Sequence, residues 1–144
     1  MTRILFLCTG NSCRSQMAEG WARQLLPGKF AAASAGTSAK GLDPRAVKVM
    51  AEAGVDISGH RSKALAELDA QRFDLVVTVC DNARESCPVY LGRARKLHQS
   101  FDDPPSLAQG ATDEETALGH YRKVRDEIRT FVQRLPDILK EDAQ

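Results

Sequence analysis

Four cysteines carry most of the chemistry that this sequence could perform: Cys8, Cys13, Cys80 and Cys87. Cys8 opens the segment CTGNSCRS, in which five residues separate it from Arg14. A cysteine thiolate is a strong nucleophile, and a guanidinium can bind two oxygens of a tetrahedral oxyanion at once. These residue types at this spacing predict nucleophilic attack by Cys8 on an oxyanion that Arg14 holds.

The segment that starts at Cys8 lies between a predicted strand, residues 3–7, and a helix that begins near Ser15. In such a loop successive backbone N–H groups point into one concavity, and the helix N-terminus adds partial positive charge. We therefore expect the loop to lower the pKa of Cys8 and the Ser15 hydroxyl to donate a hydrogen bond to the sulfur. Gly10 is expected to adopt backbone angles that other residues resist. The predicted oxyanion-binding residues are Thr9, Gly10, Asn11, Ser12, Cys13, Arg14 and Ser15.

Short apolar runs alternate with amphipathic helical segments along the chain. Asp43 and Pro44 are typical of a helix N-cap and first turn, and Ser62 is expected to cap a shorter helix. Pro136 is expected to kink or end the last helix. The alternation predicts an α/β fold, a single domain over residues 1–144 with a four-stranded parallel sheet flanked by helices on both faces. We predict strands at 3–7, 30–35, 73–79 and 96–98, helices at 15–26, 44–53, 63–68 and 114–139, and a Pro-rich loop at 101–109.

Cys8 and Cys80 each follow directly on a predicted strand. The carboxyl ends of parallel strands meet at one edge of a sheet, where the ligand sites of open α/β domains lie. Both cysteines are therefore expected at the same edge. Cys13 lies inside the loop, where it is expected to pack as a small buried residue rather than to react.

Composition argues against several other classes of function. The formal net charge of +1 gives no strong field for nucleic acid or for an acidic membrane surface. The apolar run from Ile4 to Cys8 is too short for an export signal or a membrane span, so we expect a cytoplasmic protein. In that reducing compartment, cysteines that pair do so transiently, as catalysts or sensors. His60, His98 and His120 lie at no ligand spacing from the cysteines, so we predict no metal site or cofactor. We expect His60 and His98 to be structural or surface residues.

The Cys-x5-Arg-Ser pattern, preceded by a strand and followed by a helix, resembles the phosphate-binding loop of the low-molecular-weight protein tyrosine phosphatases. That fold carries an Asp-Pro pair in a late loop, where the aspartate is the general acid. The resemblance implies that Asp103, which precedes Pro104, protonates the leaving oxygen, with Asp102 as its neighbour. Taken alone, an Asp-Pro pair is common in turns.

The pair Cys80 and Cys87 has no role in a phosphatase, and Pro105 and Ser106 stand where phosphatases commonly carry tyrosines. A loop cysteine combined with a Cys-x6-Cys segment resembles the thioredoxin-coupled arsenate reductases. That resemblance implies that Cys8 attacks arsenate, that Cys80 attacks the Cys8 sulfur, and that Cys87 then attacks Cys80. Phosphate and sulfate are expected as substrate analogues, and thioredoxin as the reductant. The likeness extends over Cys8–Trp21, Asp56–His60, Leu75–Cys80, Phe101–Pro104 and Val124–Ile128.

Two other functions fit the same residues. A protein tyrosine phosphatase needs only the loop cysteine, the arginine and the acid. A non-enzymatic arsenite-binding or thiol-sensing protein would bind arsenite through its cysteines without turnover. Steady arsenate-dependent oxidation of a reductant separates the reductase from both.

Some thioredoxin-coupled arsenate reductases have a potassium site beside the loop, and the matching positions here are Asn11, Glu19, Ser34 and Lys63. The last position departs from the family pattern, which has an acid there. A potassium ion would lose a carboxylate ligand and face an ammonium, whereas hard cations bind through oxygen ligands. We expect either that Lys63 reaches Glu19 and takes the place of the ion, or that Lys63 points to solvent and the site is absent. In both cases no specific potassium effect is predicted.

Overall fold

The computed structural model describes residues 1–68, 73–80 and 94–142. The strands are β1 (Thr2–Cys8), β2 (Phe30–Gly36), β3 (Leu75–Thr78) and β4 (Arg95–His98). The helices in these residues are α1 (Arg14–Leu25), α2 (Pro44–Glu52), a 3-10 helix (Leu65–Leu68), α3 (Pro104–Ala108) and α4 (Glu114–Asp142). The strands form one parallel sheet in the order β2-β1-β3-β4, which confirms the predicted four-stranded α/β architecture.

β1 is a central strand, paired with β2 on one side and with β3 on the other. Its residues from Ile4 to Leu7 are fully buried, as expected for a parallel strand in a sheet covered by helices. In the register, Leu7 lies opposite Thr78 of β3, so the two strands end at the same edge. Cys8 ends β1 and Cys80 follows β3 by two residues, so both cysteines lie at that edge as predicted.

The long helix α4 packs along α1, α2 and α3, and α1 in turn packs on β1 and β2. Trp21 of α1 is buried, and its indole N–H donates to the Arg125 carbonyl of α4 at 3.1 Å. Between α2 and α4, Arg122 Nε pairs with Glu52 Oε1 at 2.8 Å. Among the described residues, no helix is both long enough and apolar enough to cross a membrane.

Two predicted elements differ in the structure. Residues 101–109 are predicted as a loop, but they contain α3, because Asp103 stands at the N-cap and Pro104 at the first helical position, where no N–H is needed. Pro136 is predicted to kink or end the last helix; α4 does not end there but continues as far as Asp142. Its apolar face stays packed on α1, which stabilises the helix despite the missing proline N–H.

Candidate active site

Residues 37–43, which we call the bracing segment, run alongside the loop that follows β1. Backbone amides of this segment donate to carbonyls of the loop. The bonds are Thr37 N to Cys8 O (3.1 Å), Ser38 N to Thr9 O (3.0 Å), Lys40 N to Gly10 O (3.0 Å) and Asp43 N to Ser12 O (3.0 Å). A trans peptide unit points its N–H opposite to its C=O. The amides that follow these carbonyls therefore point away from the bracing segment and into the concavity of the loop.

The loop runs directly into α1, which begins at Arg14. Met17 N bonds to Cys13 O at 2.9 Å, so the amides just before Met17 are the unpaired first amides of a helix. With the helix dipole they place partial positive charge beside the nucleophile. The Gly10 amide also hydrogen-bonds the Cys8 sulfur. Residues 8–15 therefore form a cradle whose geometry suits negative charge, and the binding of an oxyanion by residues 9–15 stays a prediction.

Asn11 supplies the unusual backbone angle of the cradle, with a φ of 49°. The prediction that Gly10 does so is wrong, since Gly10 is not among the glycines with positive φ. Asparagine tolerates the left-handed region because its short side chain hydrogen-bonds locally. Gly10 provides space instead: a Cβ there would lie 3.2 Å from Lys40 Cδ.

The Asn11 side chain is held in a buried hydrogen-bond network. Asn11 Nδ2 donates to Ser15 Oγ at 2.9 Å and to Ser34 Oγ at 3.0 Å. Ser34 Oγ donates in turn to Glu19 Oε1 at 2.6 Å. Because Ser15 Oγ accepts from Asn11, its own hydroxyl hydrogen remains for another acceptor. Donation from Ser15 to Cys8 stays a prediction.

Gly36, at the end of β2, is a part of the site that the sequence analysis missed. A Cβ at this position would lie 2.6 Å from Thr9 O and 2.7 Å from Asn11 N, so only glycine lets β2 approach the loop this closely. The sequence offered one sign of this role, a glycine directly after the strand predicted at 30–35. The loop residues that Gly36 contacts are distant in sequence. Ser62, predicted as a helix cap, instead donates to the Gly10 carbonyl at 3.1 Å.

Arg14 joins the cradle to the chain just before α3. Its Nη1 donates to the Phe101 carbonyl at 2.9 Å, and its Nη2 pairs with Asp103 Oδ1 at 3.4 Å. Its Nε is buried and has no hydrogen-bond partner among the residues that the structure describes. An unpaired buried donor costs roughly 1–3 kcal/mol. Arg14 Nε is therefore a donor that an anion in the cradle can satisfy.

Asp103 lies at the N-terminus of α3 with its side chain 40% exposed. Its Oδ2 accepts a hydrogen bond from Ser106 Oγ at 2.7 Å, and Arg14 connects it with the cradle. This placement brings the Asp-Pro aspartate to the site, while its role as general acid stays a prediction. The neighbouring Asp102 faces Lys123, with Oδ2 4.0 Å from Nζ.

The thiols of Cys8 and Cys80 are in hydrogen-bond contact, and Thr9 Oγ1 lies 3.4 Å from Cys80 Sγ. Both cysteines are only 4% exposed. The hydrogen bond to Cys80 and burial raise the pKa of Cys8, whereas Arg14 and the Gly10 amide lower it. The expected lowering of this pKa is therefore wrong for the site in which both thiols are reduced. The cradle does favour the thiolate, but a second buried thiol beside it outweighs that effect.

We expect Cys80→Ala to lower the pKa of Cys8, because the substitution removes the largest cause that raises it. The thiolate is the form that reacts, so a lower pKa gives more thiolate at neutral pH and faster alkylation. Mass spectrometry of the Cys8 peptide after iodoacetamide treatment across a pH series measures the shift toward lower pH. Cys13→Ala is the control and should leave the profile in place. An unchanged profile in Cys80→Ala would contradict the account.

Cys13 is 3% exposed and packs within the loop, as predicted. Burial, followed by the nearby Asp43 carboxylate, raises its pKa. Asp43 is itself held in place by Tyr121, whose hydroxyl donates to Asp43 Oδ2 at 2.6 Å. Cys13 is therefore kept as an unreactive thiol. Cys87 lies outside the described residues.

Lys63 reaches the buried carboxylate, with Nζ 3.9 Å from Glu19 Oε1 and a side chain that is 15% exposed. Its amide also donates to Asn11 Oδ1 at 2.9 Å. Arg23 Nη2 pairs with Glu19 Oε2 at 2.8 Å. Burial lowers the pKa of Lys63, and Glu19 opposes that effect. Lys63 therefore does not point to solvent. Because its ammonium faces Glu19 and Ser34 already donates to Glu19, this cluster does not fit an added potassium ion.

Exchanging sodium for potassium chloride at equal ionic strength should change neither the thermal midpoint nor the catalytic efficiency. The Lys63 ammonium already stands where a cation would balance Glu19. Lys63→Asp should lower the midpoint in sodium and recover part of it in potassium, because it restores an oxygen ligand and removes the competing charge. Differential scanning calorimetry in both salts measures this. A potassium-specific gain in the unsubstituted protein would overturn the interpretation.

His60 and His98 have partners that suit the structural roles predicted for them. His60 Nδ1 lies 2.9 Å from Gln16 Oε1, and burial lowers the pKa of His60. His98 Nδ1 lies 2.7 Å from Thr78 Oγ1, across β3 and β4. Within the described part of the chain, no three His, Cys, Asp or Glu side chains are grouped to hold a metal ion.

Comparison with known proteins gives a consistent set of relatives. The family described as low molecular weight phosphotyrosine protein phosphatase matches residues 3–144. An arsenate reductase of Bacillus subtilis (strain 168) is 49% identical over 125 residues, 87% of this chain and 88% of that protein. The structure of an arsenate reductase in the phosphate binding state is 32% identical, with a TM-score of 0.79 over 94% of this chain and 96% of that one. The low molecular weight protein tyrosine phosphatase from T. tengcongensis is 32% identical, with a TM-score of 0.74 over 95% of this chain and 99% of that one.

Proposed function

Since the chain belongs to the low molecular weight phosphotyrosine protein phosphatase family, we propose that it uses the phosphate-binding loop of that family to reduce arsenate to arsenite. Cys8 is the nucleophile, Arg14 and the loop amides bind the oxyanion, and Asp103 is the general acid. Cys80 and Cys87 carry the oxidation away as a disulfide. The B. subtilis relative, an arsenate reductase, supports this assignment.

The contact between the Cys8 and Cys80 thiols carries the proposal. A phosphatase cycle uses one cysteine, and a second thiol that raises the pKa of the nucleophile is a disadvantage for it. For a reductase, the same contact puts the sulfur that receives the oxidation within reach of Cys8. If the chain were a phosphatase, the contact between these two buried thiols would have no role in its catalytic cycle.

Arsenate binds first, because its tetrahedral shape matches phosphate. Its oxygens accept hydrogen bonds from the loop amides and from Arg14 Nε, whose buried N–H gains a partner. The bracing segment holds the loop carbonyls turned outward, so the amides need little rearrangement to receive the anion. The relative solved in its phosphate binding state is a precedent for an oxyanion in that protein.

In the chemical steps that follow, Cys8 attacks arsenic and Cys80 then attacks Cys8. The Cys8 thiol gives its proton to the bound arsenate dianion, the resulting thiolate attacks arsenic, and an As–O bond breaks. Asp103 protonates the departing hydroxide, which leaves as water. The Cys80 thiolate next attacks the Cys8 sulfur. The S–As bond breaks, and its electron pair stays on arsenic, which becomes As(III). Arsenite leaves, and a Cys8–Cys80 disulfide remains.

Cys87 completes the cycle in this proposal. Its thiolate attacks the Cys80 sulfur, which frees Cys8 and leaves a Cys80–Cys87 disulfide. Exchange with the dithiol of thioredoxin returns both residues to thiols. Such exchange belongs in the cytoplasm, where cysteines are kept reduced. The cycle uses no metal or organic cofactor, no nucleic acid and no membrane.

Hydrolysis of a phosphate monoester is the second candidate, favoured by the family description and by the T. tengcongensis phosphatase. Cys8, Arg14 and Asp103 would suffice for it. The reductase can retain weak activity of this kind, because the cradle is shared. Phosphatase activity alone therefore does not decide between the two.

An assay of arsenate-dependent reductant oxidation tests the proposal. Thioredoxin, glutaredoxin and glutathione are compared as electron donors, and arsenite release is measured in parallel. We expect steady turnover with thioredoxin. Hydrolysis of a small aryl phosphate without arsenate turnover would make the chain a phosphatase. Stoichiometric arsenite binding without turnover would make it a binding or sensing protein.

A further inference from the structure

Lys40, on the bracing segment, packs its side-chain stem against the cradle. Its amide donates to the Gly10 carbonyl at 3.0 Å. A Cβ built on Gly10 would lie 3.2 Å from Lys40 Cδ and 3.3 Å from its Cβ and Cγ, so three carbons of the stem cover this glycine. The residue as a whole is exposed, which leaves its charged end in solvent.

The position of the Lys40 stem limits how far the Lys40 ammonium can lie from Gly10. The ammonium is two bonds beyond Cδ, and the Gly10 nitrogen is two bonds from the Cβ position. Standard bond lengths then place Lys40 Nζ no more than about 8 Å from the Gly10 nitrogen. The Gly10 amide points into the cradle and bonds the Cys8 sulfur. Lys40 is therefore close enough to act on an anion held there at low ionic strength.

Among the described residues, the two cations near the cradle, Arg14 and Lys40, differ in whether a carboxylate balances them. Arg14 already pairs with Asp103, Nη2 to Oδ1, at 3.4 Å. Lys40 has no salt bridge to any residue that the structure describes. Among the described residues, a doubly charged arsenate or phosphate therefore meets one cation that a carboxylate balances and one that has no salt bridge. The second of these is Lys40.

We propose that Lys40 is a specificity-determining residue of the cradle, a second cation that strengthens the binding of doubly charged tetrahedral oxyanions. This inference rests on the proposed function, because it assumes that the cradle binds such an anion. Lys40 acts on binding rather than on the bond-breaking steps. It therefore affects Kd and KM and leaves kcat unchanged.

Isothermal titration with inorganic phosphate near pH 8 tests the proposal on the reduced full-length chain. Lys40→Met keeps an unbranched stem over Gly10 and removes the charge, whereas Lys40→Arg keeps the charge. Lys29→Met is the matched control, since Lys29 is exposed and precedes β2 at the opposite edge of the sheet. Each protein is titrated at ionic strengths of about 0.01 M and about 1 M, where the Debye lengths are about 30 Å and 3 Å.

Lys40→Met should weaken phosphate binding about fivefold at low ionic strength, as expected for one charge about 11 Å from a dianion at a protein surface, where the effective dielectric constant is lower than in water. The loss should nearly vanish at high ionic strength, and Lys40→Arg and Lys29→Met should match the unsubstituted protein within about twofold. KM for arsenate should rise by the same factor as the Kd.

Three results would overturn the assignment to Lys40: no loss in Lys40→Met, an equal loss at both ionic strengths, or no rescue by Lys40→Arg. The last two would mean that the stem matters and the charge does not. Failure of the unsubstituted protein to bind phosphate would overturn the cradle itself, and with it the proposed function. The two failures are therefore distinguishable.

Discussion

Replacing Cys8 with serine should abolish arsenate reduction and phosphatase activity together, with a loss of roughly 10³-fold or more, as for other removed nucleophiles. A serine hydroxyl in this position is neither a thiolate nor able to form a disulfide with Cys80. The amides of the loop and Arg14 are unaffected, so phosphate should still bind. Steady-state arsenite release, aryl phosphate hydrolysis and phosphate titration measure the three properties.

Cys13→Ser is the matched control for that experiment. It changes the same atom type in the same loop, at a thiol that is buried and whose pKa is raised. Most activity should remain. Turnover by Cys8→Ser within tenfold of the unsubstituted protein would mean that another residue is the nucleophile, and the whole proposal would fail.

Cys80→Ser and Cys87→Ser should each end multiple turnover with arsenate and thioredoxin but spare aryl phosphate hydrolysis. The cradle stays intact in both, while the path for the oxidation is cut. The two variants should stop at different points. Cys87→Ser should release one arsenite per chain and accumulate a Cys8–Cys80 disulfide, whereas Cys80→Ser should not form that disulfide.

Intact-mass analysis after a single exposure to arsenate distinguishes these states, because each disulfide removes two hydrogens. Proteolytic mapping identifies the bonded cysteines. Sustained thioredoxin-dependent turnover by Cys87→Ser would show that the three-cysteine relay is wrong, even if the chain is an arsenate reductase. Loss of aryl phosphate hydrolysis in Cys80→Ser would instead show that Cys80 supports the cradle.

The loop was predictable because its determinants are local. The order of strand, cysteine, arginine and helix lies within a few consecutive residues, and the parallel sheet follows from the alternation of elements. The shared edge of Cys8 and Cys80 follows from that topology alone. The helix α3 was missed for a local reason too, because two consecutive prolines suggest a loop although Asp103 and Pro104 suit the start of a helix.

Features that depend on distant partners were not predictable from the sequence. The close approach of Gly36 to Thr9, and the carbonyl of Phe101 that holds Arg14, need the packed fold. The pKa of Cys8 was predicted in the wrong direction for the same reason. The loop motif contains the groups that lower it, but the thiol of Cys80 that raises it comes from another strand.

Lys63 belongs to the buried cluster around Glu19 and stands at the position where the family pattern has an acid. The motif positions alone left two orientations open for Lys63. The choice depends on burial, since a side chain that is only 15% exposed must find a partner, and Glu19 is the carboxylate beside it. Lys63 thus places an ammonium beside Glu19, and that it takes the place of a cation stays a prediction.

The strand order has a consequence for the newly made chain. Cys80 follows Cys8 by 72 residues (80 − 8), yet β1 and β3 are direct neighbours in the sheet. At roughly 5–20 residues per second, translation leaves roughly 4–14 seconds between the two cysteines. During that interval the Cys80 thiol, which raises the pKa of Cys8 in the folded sheet, has not yet been made. Cys8 therefore gains this contact only after β3 has been made and has paired with β1.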